Sequence, residues 1–382
     1  MDVHSQYAHT TQAEAPDNLI DLGIGHPGLS LLPTELIAES ARREFEHFDP
    51  RHLQYGFEQG ARSFREALAA FLTRTTSTAA RADELLVSGG VSQALELVCS
   101  LFTRTGDLVL TEEPTYFLAL RIFEDRGLRV KSVRTDADGI DPDAVEEALS
   151  EEKPALLYTV PVHQNPSGVT LSEPRRQRLV ELAEKEGFRI IADEVYHLLT
   201  YDGSSPEPFG RFAGTNRVFA LGSFSKICAP GLRMGWIHAG GELIDPLVRS
   251  GFLDSGGGLA PLTSALLRSA IDDGSLEAHI DHLRAEYRAR RDALLEVLAG
   301  PEGRRRGVSV SSPTGGYFVW ATLPEDLSAA ELLSTAREAG VGFVPGGRFS
   351  AADGFENSLR ISFSYYSPQE LAEGARRLLS VL

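Results

Sequence analysis

Alternation constrains this chain more than any other feature. Between about residues 85 and 240, short apolar runs are separated by stretches with helical spacing. The runs fall at 84–87, 108–111, 128–133, 155–160, 188–193, 218–221 and 235–239, are rich in Val, Ile and Leu, and lack clean polar alternation. Strands buried on both faces read this way. Helical spacing is clearest at 91–102, where Val91, Ala94, Leu95, Val98, Leu101 and Phe102 recur with a helical period. The stretches 116–126, 141–149 and 174–186 are further candidates, and Asp141-Pro142 suits an N-cap followed by a first turn. Strands alternating with helices predict an α/β fold: a large domain with a mainly parallel seven-stranded sheet flanked by helices.

The rhythm changes after about residue 240, where a Gly-rich stretch at 255–258 interrupts the pattern. Helices are expected at 260–273 and 276–298, then strands at 308–311 and 316–320, a helix at 329–339, strands near 341–344 and at 358–364, and a last helix at 368–381. This predicts a smaller C-terminal α/β domain, with a hinge within the long helix. The expected division is a flexible arm at 1–20, a segment at 21–45 packing with the small domain, a large domain at 46–275 and the small domain at 276–382.

A chain of 382 residues can bury a large core. Its formal net charge of −17 argues against nucleic acid and against an anionic membrane surface as partners. No apolar run reaches the roughly 18 residues that span a bilayer. The start, MDVHSQYAHTTQAEAPDN, lacks the basic end and apolar core of a signal peptide. Cys99 and Cys228 are the only cysteines, which gives no disulfide framework and no metal cluster. A cytoplasmic location fits. Lys131, Lys153, Lys185 and Lys226 are the only lysines, so few compete for a catalytic role.

Several short motifs could carry chemistry, and each has an ordinary reading beside it. Gly23-Ile24-Gly25-His26-Pro27-Gly28 matches G-x-G-x-x-G, but that motif needs a helix opening within the glycines. Pro27 removes a donor there, so a tight turn is the better reading. Ser88-Gly89-Gly90-Val91-Ser92-Gln93 follows a strand and opens a helix, which suits a phosphate, although Gly pairs also make plain turns. Ser223-Phe224-Ser225-Lys226 and Arg233 offer hydroxyls and cations near a strand end, or surface residues. Asp193 ends an apolar strand, where it is an N-cap or a site residue. Asn165-Pro166 could be a turn. Alternation puts Arg360 opposite the apolar face of its strand, which predicts a solvent-exposed arginine or a ligand-binding one.

Their order is more specific than any one of them. Gly-Gly before a helix, Asn-Pro, Asp-x-x-Tyr, Ser-x-Ser-Lys, an Arg seven residues later and a late Arg occur in series. The chain thereby resembles the class I/II aminotransferases of fold type I, which depend on pyridoxal 5′-phosphate (PLP), from about Leu22 to Leu379. Leu53-Gln54-Tyr55-Gly56 and Phe343-Val344-Pro345-Gly346 resemble the branch holding kynurenine and 2-aminoadipate aminotransferases.

The resemblance implies that Lys226 forms the Schiff base with PLP and then serves as general base, and that Asp193 pairs with the pyridinium nitrogen. Tyr196 and Asn165 match the partners of the ring's phenolic oxygen, and Tyr116 the aromatic stacked on the ring. Gly90, Val91, Ser92, Ser223, Ser225 and Arg233 match the phosphate site. Tyr55 matches a tyrosine that reaches the neighbouring subunit's phosphate, which implies a homodimer with shared sites. Arg360 matches the grip on the substrate α-carboxylate, with Gly25 and Asn165 lining the substrate. Two departures are Ser92, where relatives often carry Gln, and the glycine-rich 254–258 loop.

The implied reaction moves an amino group from an L-amino acid to a 2-oxo acid. β- or γ-elimination, replacement or carbon–carbon bond formation, with an S-adenosylmethionine-type amino acid as one donor, would use the same residues. A regulator built on such a domain would carry an N-terminal winged helix, for which the region before Leu22 leaves no room. Retention of Lys226 and Asp193 argues against a pseudoenzyme.

Overall fold

The computed structural model describes residues 18–46 and 48–382, so the arm expected at 1–20 lies almost entirely outside the described residues. A two-residue strand, β1 (Ile20–Asp21), comes first. The central sheet follows with β2 (Leu85–Ser88), β3 (Leu108–Glu113), β4 (Arg129–Asp136), β5 (Gly139–Ile140), β6 (Leu156–Thr159), β7 (Arg189–Asp193), β8 (Val218–Ser223) and β9 (Gly235–His238). Its spatial order is β2-β9-β8-β7-β6-β3-β4-β5.

The seven expected strands are all present, but the sheet has eight. The extra strand, β5, pairs antiparallel with the end of β4 through Thr135↔Ile140 and Asp136↔Gly139. Two residues are too short to leave a period in the sequence. The run from β8 through β7, β6 and β3 to β4 is parallel, whereas β9 is antiparallel to both its neighbours.

Both faces of the sheet are almost wholly buried at β2, β3, β6, β7, β8 and β9, which explains the missing polar alternation there, whereas β4 is largely half-exposed. Tyr158, Ile191 and Phe219 point into one apolar cluster, while their chain neighbours Leu157, Ile190 and Val218 point into a second cluster. Each such side chain contributes about 1.5–3 kcal/mol by leaving water. Helices Val91–Phe102, Phe117–Asp125, Pro142–Glu151 and Glu173–Glu186 lie where the spacing predicts, and the Asp141 side chain accepts from the Asp143 N–H as its N-cap.

The tail contains β10 (Ser309–Val310), β11 (Phe318–Thr322), β12 (Val341–Gly342), β13 (Val344–Pro345) and β14 (Ser358–Ser362). Strands β10, β11, β14 and β13 form an antiparallel sheet in that order, whereas β12 pairs parallel with β1. The single strand expected near 341–344 therefore splits between two sheets. The 24-residue helix Ser275–Leu298 packs against Pro368–Ser380, which opens on a Ser367/Glu370 capping box. The stretch at 254–258 is only partly a loop. Asp254, Ser255 and Gly256 end a short helix, Gly251–Gly256, capped by Ser250 and anchored by buried Leu253. Gly258 then bridges to Gly56. Among the described residues, no helix is long and apolar enough to cross a membrane.

Candidate active site

Parallel strands deliver their C-terminal ends to one edge of a sheet, and the following loops meet there. Here that edge receives Ser88, Glu113, Thr159, Asp193 and Ser223 from β2, β3, β6, β7 and β8. Because β9 runs the opposite way, it starts at the same edge, just after Arg233 and Met234. Gly90, Tyr116, Asn165, Tyr196, Ser225 and Lys226 all lie on these loops or at the helix starts that follow them.

Lys226 sits in the turn after β8. Its Nζ donates to the Gly25 carbonyl at 3.0 Å, and its own carbonyl accepts from the Tyr317 hydroxyl at 2.9 Å. The ammonium lies 5.3 Å from the centre of the Tyr317 ring and 6.0 Å from that of Tyr196. Burial, and then the positive charge of Arg360, bring the amine down to about 8, with Asp193 opposing. About a tenth of it is then neutral at pH 7, far more than for an ordinary lysine.

Asp193 ends β7 and is 4% exposed. One oxygen, Oδ2, accepts from the Tyr158 hydroxyl at 2.9 Å, while Oδ1 is buried with no hydrogen-bond partner among the described residues. Burial pushes this carboxyl up to about 6, against the Tyr158 hydrogen bond, the pull of the Val195 amide and the Lys226 charge. A buried carboxylate oxygen with nothing to accept from is costly, so a cationic or N–H donor would complete it.

Arg360 is 5% exposed, because all five residues of β14 are buried. The solvent-exposed alternative is thereby excluded. Its Nη1 donates to Asn165 Oδ1 at 3.2 Å and its Nη2 to the Gly23 carbonyl at 2.7 Å, while Nε is buried and unpaired. The guanidinium lies 4.2 Å from the Phe318 ring centre and 5.1 Å from that of Phe349. Burial lowers it to about 10, which still leaves it charged at neutral pH. Burial also pushes the Tyr116 hydroxyl up to about 12, with the Asp193 charge adding and Arg360 opposing.

A second cluster adjoins the first. Gly90 caps the helix Val91–Phe102 at φ +92° with no side-chain cap, so the first amides remain free for an anion. That φ suits glycine alone, and a Cβ there would meet Arg233 Nη2 at 3.1 Å. Arg233 Nη2 itself donates to the Gly89 carbonyl at 2.9 Å. Ser223 Oγ accepts from the Ser225 N–H at 3.0 Å. Gly235 allows this crowding, since a Cβ there would lie 2.6 Å from the Gly222 carbonyl and 2.9 Å from Gly90 Cα. Val91 and Ser92 occupy the first helical turn.

The structure thus joins Lys226, Gly25, Arg360 and Asn165 through hydrogen bonds and mutual charge effects with Asp193 and Tyr116, beside the Gly90–Arg233 cluster. Tyr55 stands apart within the single chain: it is 83% exposed, close to Gly257. Sequence reasoning missed Tyr158, Tyr317, Phe318, Phe349 and Glu112. A tyrosine inside the otherwise apolar run 155–160 was the available signal for Tyr158. The others reach the site through pairings that no local pattern records.

A family model described as aminotransferase class I and II matches residues 17–378. Aromatic-amino-acid aminotransferase 1 of Thermococcus litoralis is 34% identical over 371 residues, covering 96% of this chain and 88% of the relative. The 2-aminoadipate transaminase of Thermus thermophilus is 35% identical over 359 residues, covering 93% of this chain and 87% of the relative. Among solved structures, the kynurenine aminotransferase of Pyrococcus horikoshii, in complex with PMP, has a TM-score of 0.88 at 33% identity, over 95% of this chain and 90% of that one.

Proposed function

The chain belongs to the aminotransferase class I and II family and is a PLP-dependent aminotransferase, and from that premise we propose that Lys226 is the amine that carries the cofactor. The pocket fits PLP on its own chemistry. The unpaired Asp193 Oδ1 would accept from the protonated ring nitrogen, and the amides after Gly90, with Ser223, Ser225 and Arg233, would hold the phosphate. Asn165 and Tyr196 would face the ring's phenolic oxygen, with Tyr116 stacked on the ring. When bound, PLP supplies an electron-accepting ring that stabilises the negative charge left as an amino acid loses its α-proton.

The residues divide the remaining work. Arg360 holds the α-carboxylate of the amino acid or 2-oxo acid through its planar fork, already aimed by Asn165 and the Gly23 carbonyl. Gly25 lets the backbone pass close to the Phe318 ring beside that fork, because a Cβ there would lie 3.1 Å from Phe318 Cζ. Lys226, with its lowered proton affinity, would take the α-proton and return it, with the Gly25 carbonyl within hydrogen-bond reach of its Nζ. Asp193 keeps its negative charge opposite the ring nitrogen, with Tyr158 fixing its orientation.

Exposed Leu53, Tyr55, Phe57 and Phe252 support a homodimer in which Tyr55 reaches the neighbouring phosphate site. Two buried free thiols fit operation in the cytoplasm. One observation carries the reading: the half-satisfied Asp193 and Arg360 are both buried, and they lie close enough to Lys226 to shift its proton affinity. Relatives named as aminotransferases favour transamination over elimination or replacement. Incubation with L-amino acids and a 2-oxo acid should give a new oxo acid and a new amino acid in equal amounts. Release of a thioether or other eliminated group, without amino transfer, would overturn the reading.

A further inference from the structure

We propose that Glu112 and Gln164 form a buried brace that positions Asn165 and Tyr116 on either side of the cofactor pocket. The inference rests on the reading of that pocket given above. Glu112 lies in β3 and is 2% exposed. Its Oε1 accepts from the Thr159 hydroxyl, and its Oε2 from the Val160 N–H at 3.0 Å and Gln164 Nε2 at 3.2 Å. Gln164 Nε2 also donates to the Pro114 carbonyl at 2.7 Å. Gln164 Oε1 accepts from the Ser167 N–H at 2.8 Å and the Ser167 hydroxyl at 2.7 Å.

These bonds tie two separate loops to one point. Asn165 directly follows Gln164 and accepts from Arg360. Tyr116 lies two residues beyond Pro114 and starts the helix Phe117–Asp125. Neither Glu112 nor Gln164 hydrogen-bonds Lys226, Asp193 or Arg360, so both act through their neighbours as positioning residues. An apolar pair of similar size would fill the core without this expense, because burying a carboxylate is costly even when it is well bonded. Burial pushes the Glu112 carboxyl up to about 7 despite its three donors, so burial of the charged form remains costly. What the polar group adds is direction: three donors, the Gln164 amide among them, fix the loop's orientation, which apolar contacts would leave free.

Asn165 facing the ring's phenolic oxygen favours its ionised form, so the pH titration of the visible band of the cofactor-loaded enzyme reports the loop's position. Gln164→Met keeps the volume and removes the bonds to Glu112, Pro114 and Ser167. It should raise the titration midpoint by about one pH unit. It should also raise KM for the amino acid about tenfold, with a smaller change in kcat. Glu112→Ala should move the titration the same way. Glu112→Gln should restore the wild-type titration, since its amide oxygen still accepts from Val160 and Gln164 while its NH2 donates to Thr159. If Glu112→Ala does not fold, Gln164→Met carries the test. Wild-type titration in Gln164→Met overturns the brace, as does impairment of Glu112→Gln equal to that of Glu112→Ala. A wild-type enzyme with no visible band would instead sink the underlying reading of the pocket, and the brace with it.

Discussion

Replacing Arg360 separates recognition of the α-carboxylate from the rest of the chemistry. In Arg360→Met, the bonds to Asn165 Oδ1 and the Gly23 carbonyl are lost, together with the fork that meets the substrate. Removing one partner of a buried, hydrogen-bonded charge pair costs about 2–5 kcal/mol. That is a fall in kcat/KM of about 30-fold to several thousand-fold. Arg360→Lys keeps the charge in the pocket but not the fork, so its loss should be smaller, about 1–3 kcal/mol. The assay is the rate at which each amino acid converts the cofactor spectrum. A primary amine with the same side chain but no carboxylate is the control. Wild-type enzyme should prefer the amino acid strongly, and Arg360→Met should lose most of that preference while treating the amine much as before. If the preference survives in Arg360→Met, the carboxylate is held elsewhere and the reasoning fails.

Further outcomes follow from the same geometry. Capture of PLP by the cofactor-free protein should speed up as pH rises through about 8, because only neutral Lys226 attacks the aldehyde; a rate independent of pH across that range would contradict the lowered amine. Gly90→Ala places a Cβ at φ +92° against Arg233, which costs about 1–2 kcal/mol and should reduce the preference for PLP over unphosphorylated pyridoxal by about tenfold, measured by equilibrium binding. Glu112 sits above its ordinary value of 4.5, at about 7, so the folded chain holds that proton more tightly. Its contribution to stability is complete below about 4.5 and fades as pH rises through 7, a difference of about 3 kcal/mol. Glu112→Gln should therefore lose less melting temperature than wild type between about pH 5 and pH 8, and equal losses would refute the assignment.

Most of the central sheet was legible because its inner strands are buried on both faces, which suits continuous Val, Ile and Leu runs; β4, largely half-exposed, carries Arg129, Lys131 and Arg134 among its apolar residues. The places of Asp193 and Lys226 followed from the same logic, since one ends such a run and the other lies a few residues beyond one, whereas Asn165 read as a turn until the resemblance singled it out. Pairings between distant segments left no such trace. β1 finds its partner in β12 near the other end of the chain, and β5 is a two-residue addition to β4. Arg360 shows the limit of alternation. Period two predicts which residues share a face, but not whether the second face meets water, and β14 is covered on both sides. Glu112 and Tyr158 were hidden for a related reason. A polar side chain on a buried strand has meaning only when its partner on the next strand is known, and those partners are Thr159 and Asp193.

The most direct test is to locate the cofactor. Purified protein is loaded with PLP, reduced with borohydride to lock the carbon–nitrogen bond, digested and mapped by mass spectrometry. Four lysines are available: Lys131, Lys153, Lys185 and Lys226. The label should fall on Lys226, and Lys226→Ala should abolish it along with the visible band. Stoichiometric label on another lysine, or an unchanged visible band in Lys226→Ala, would contradict the account.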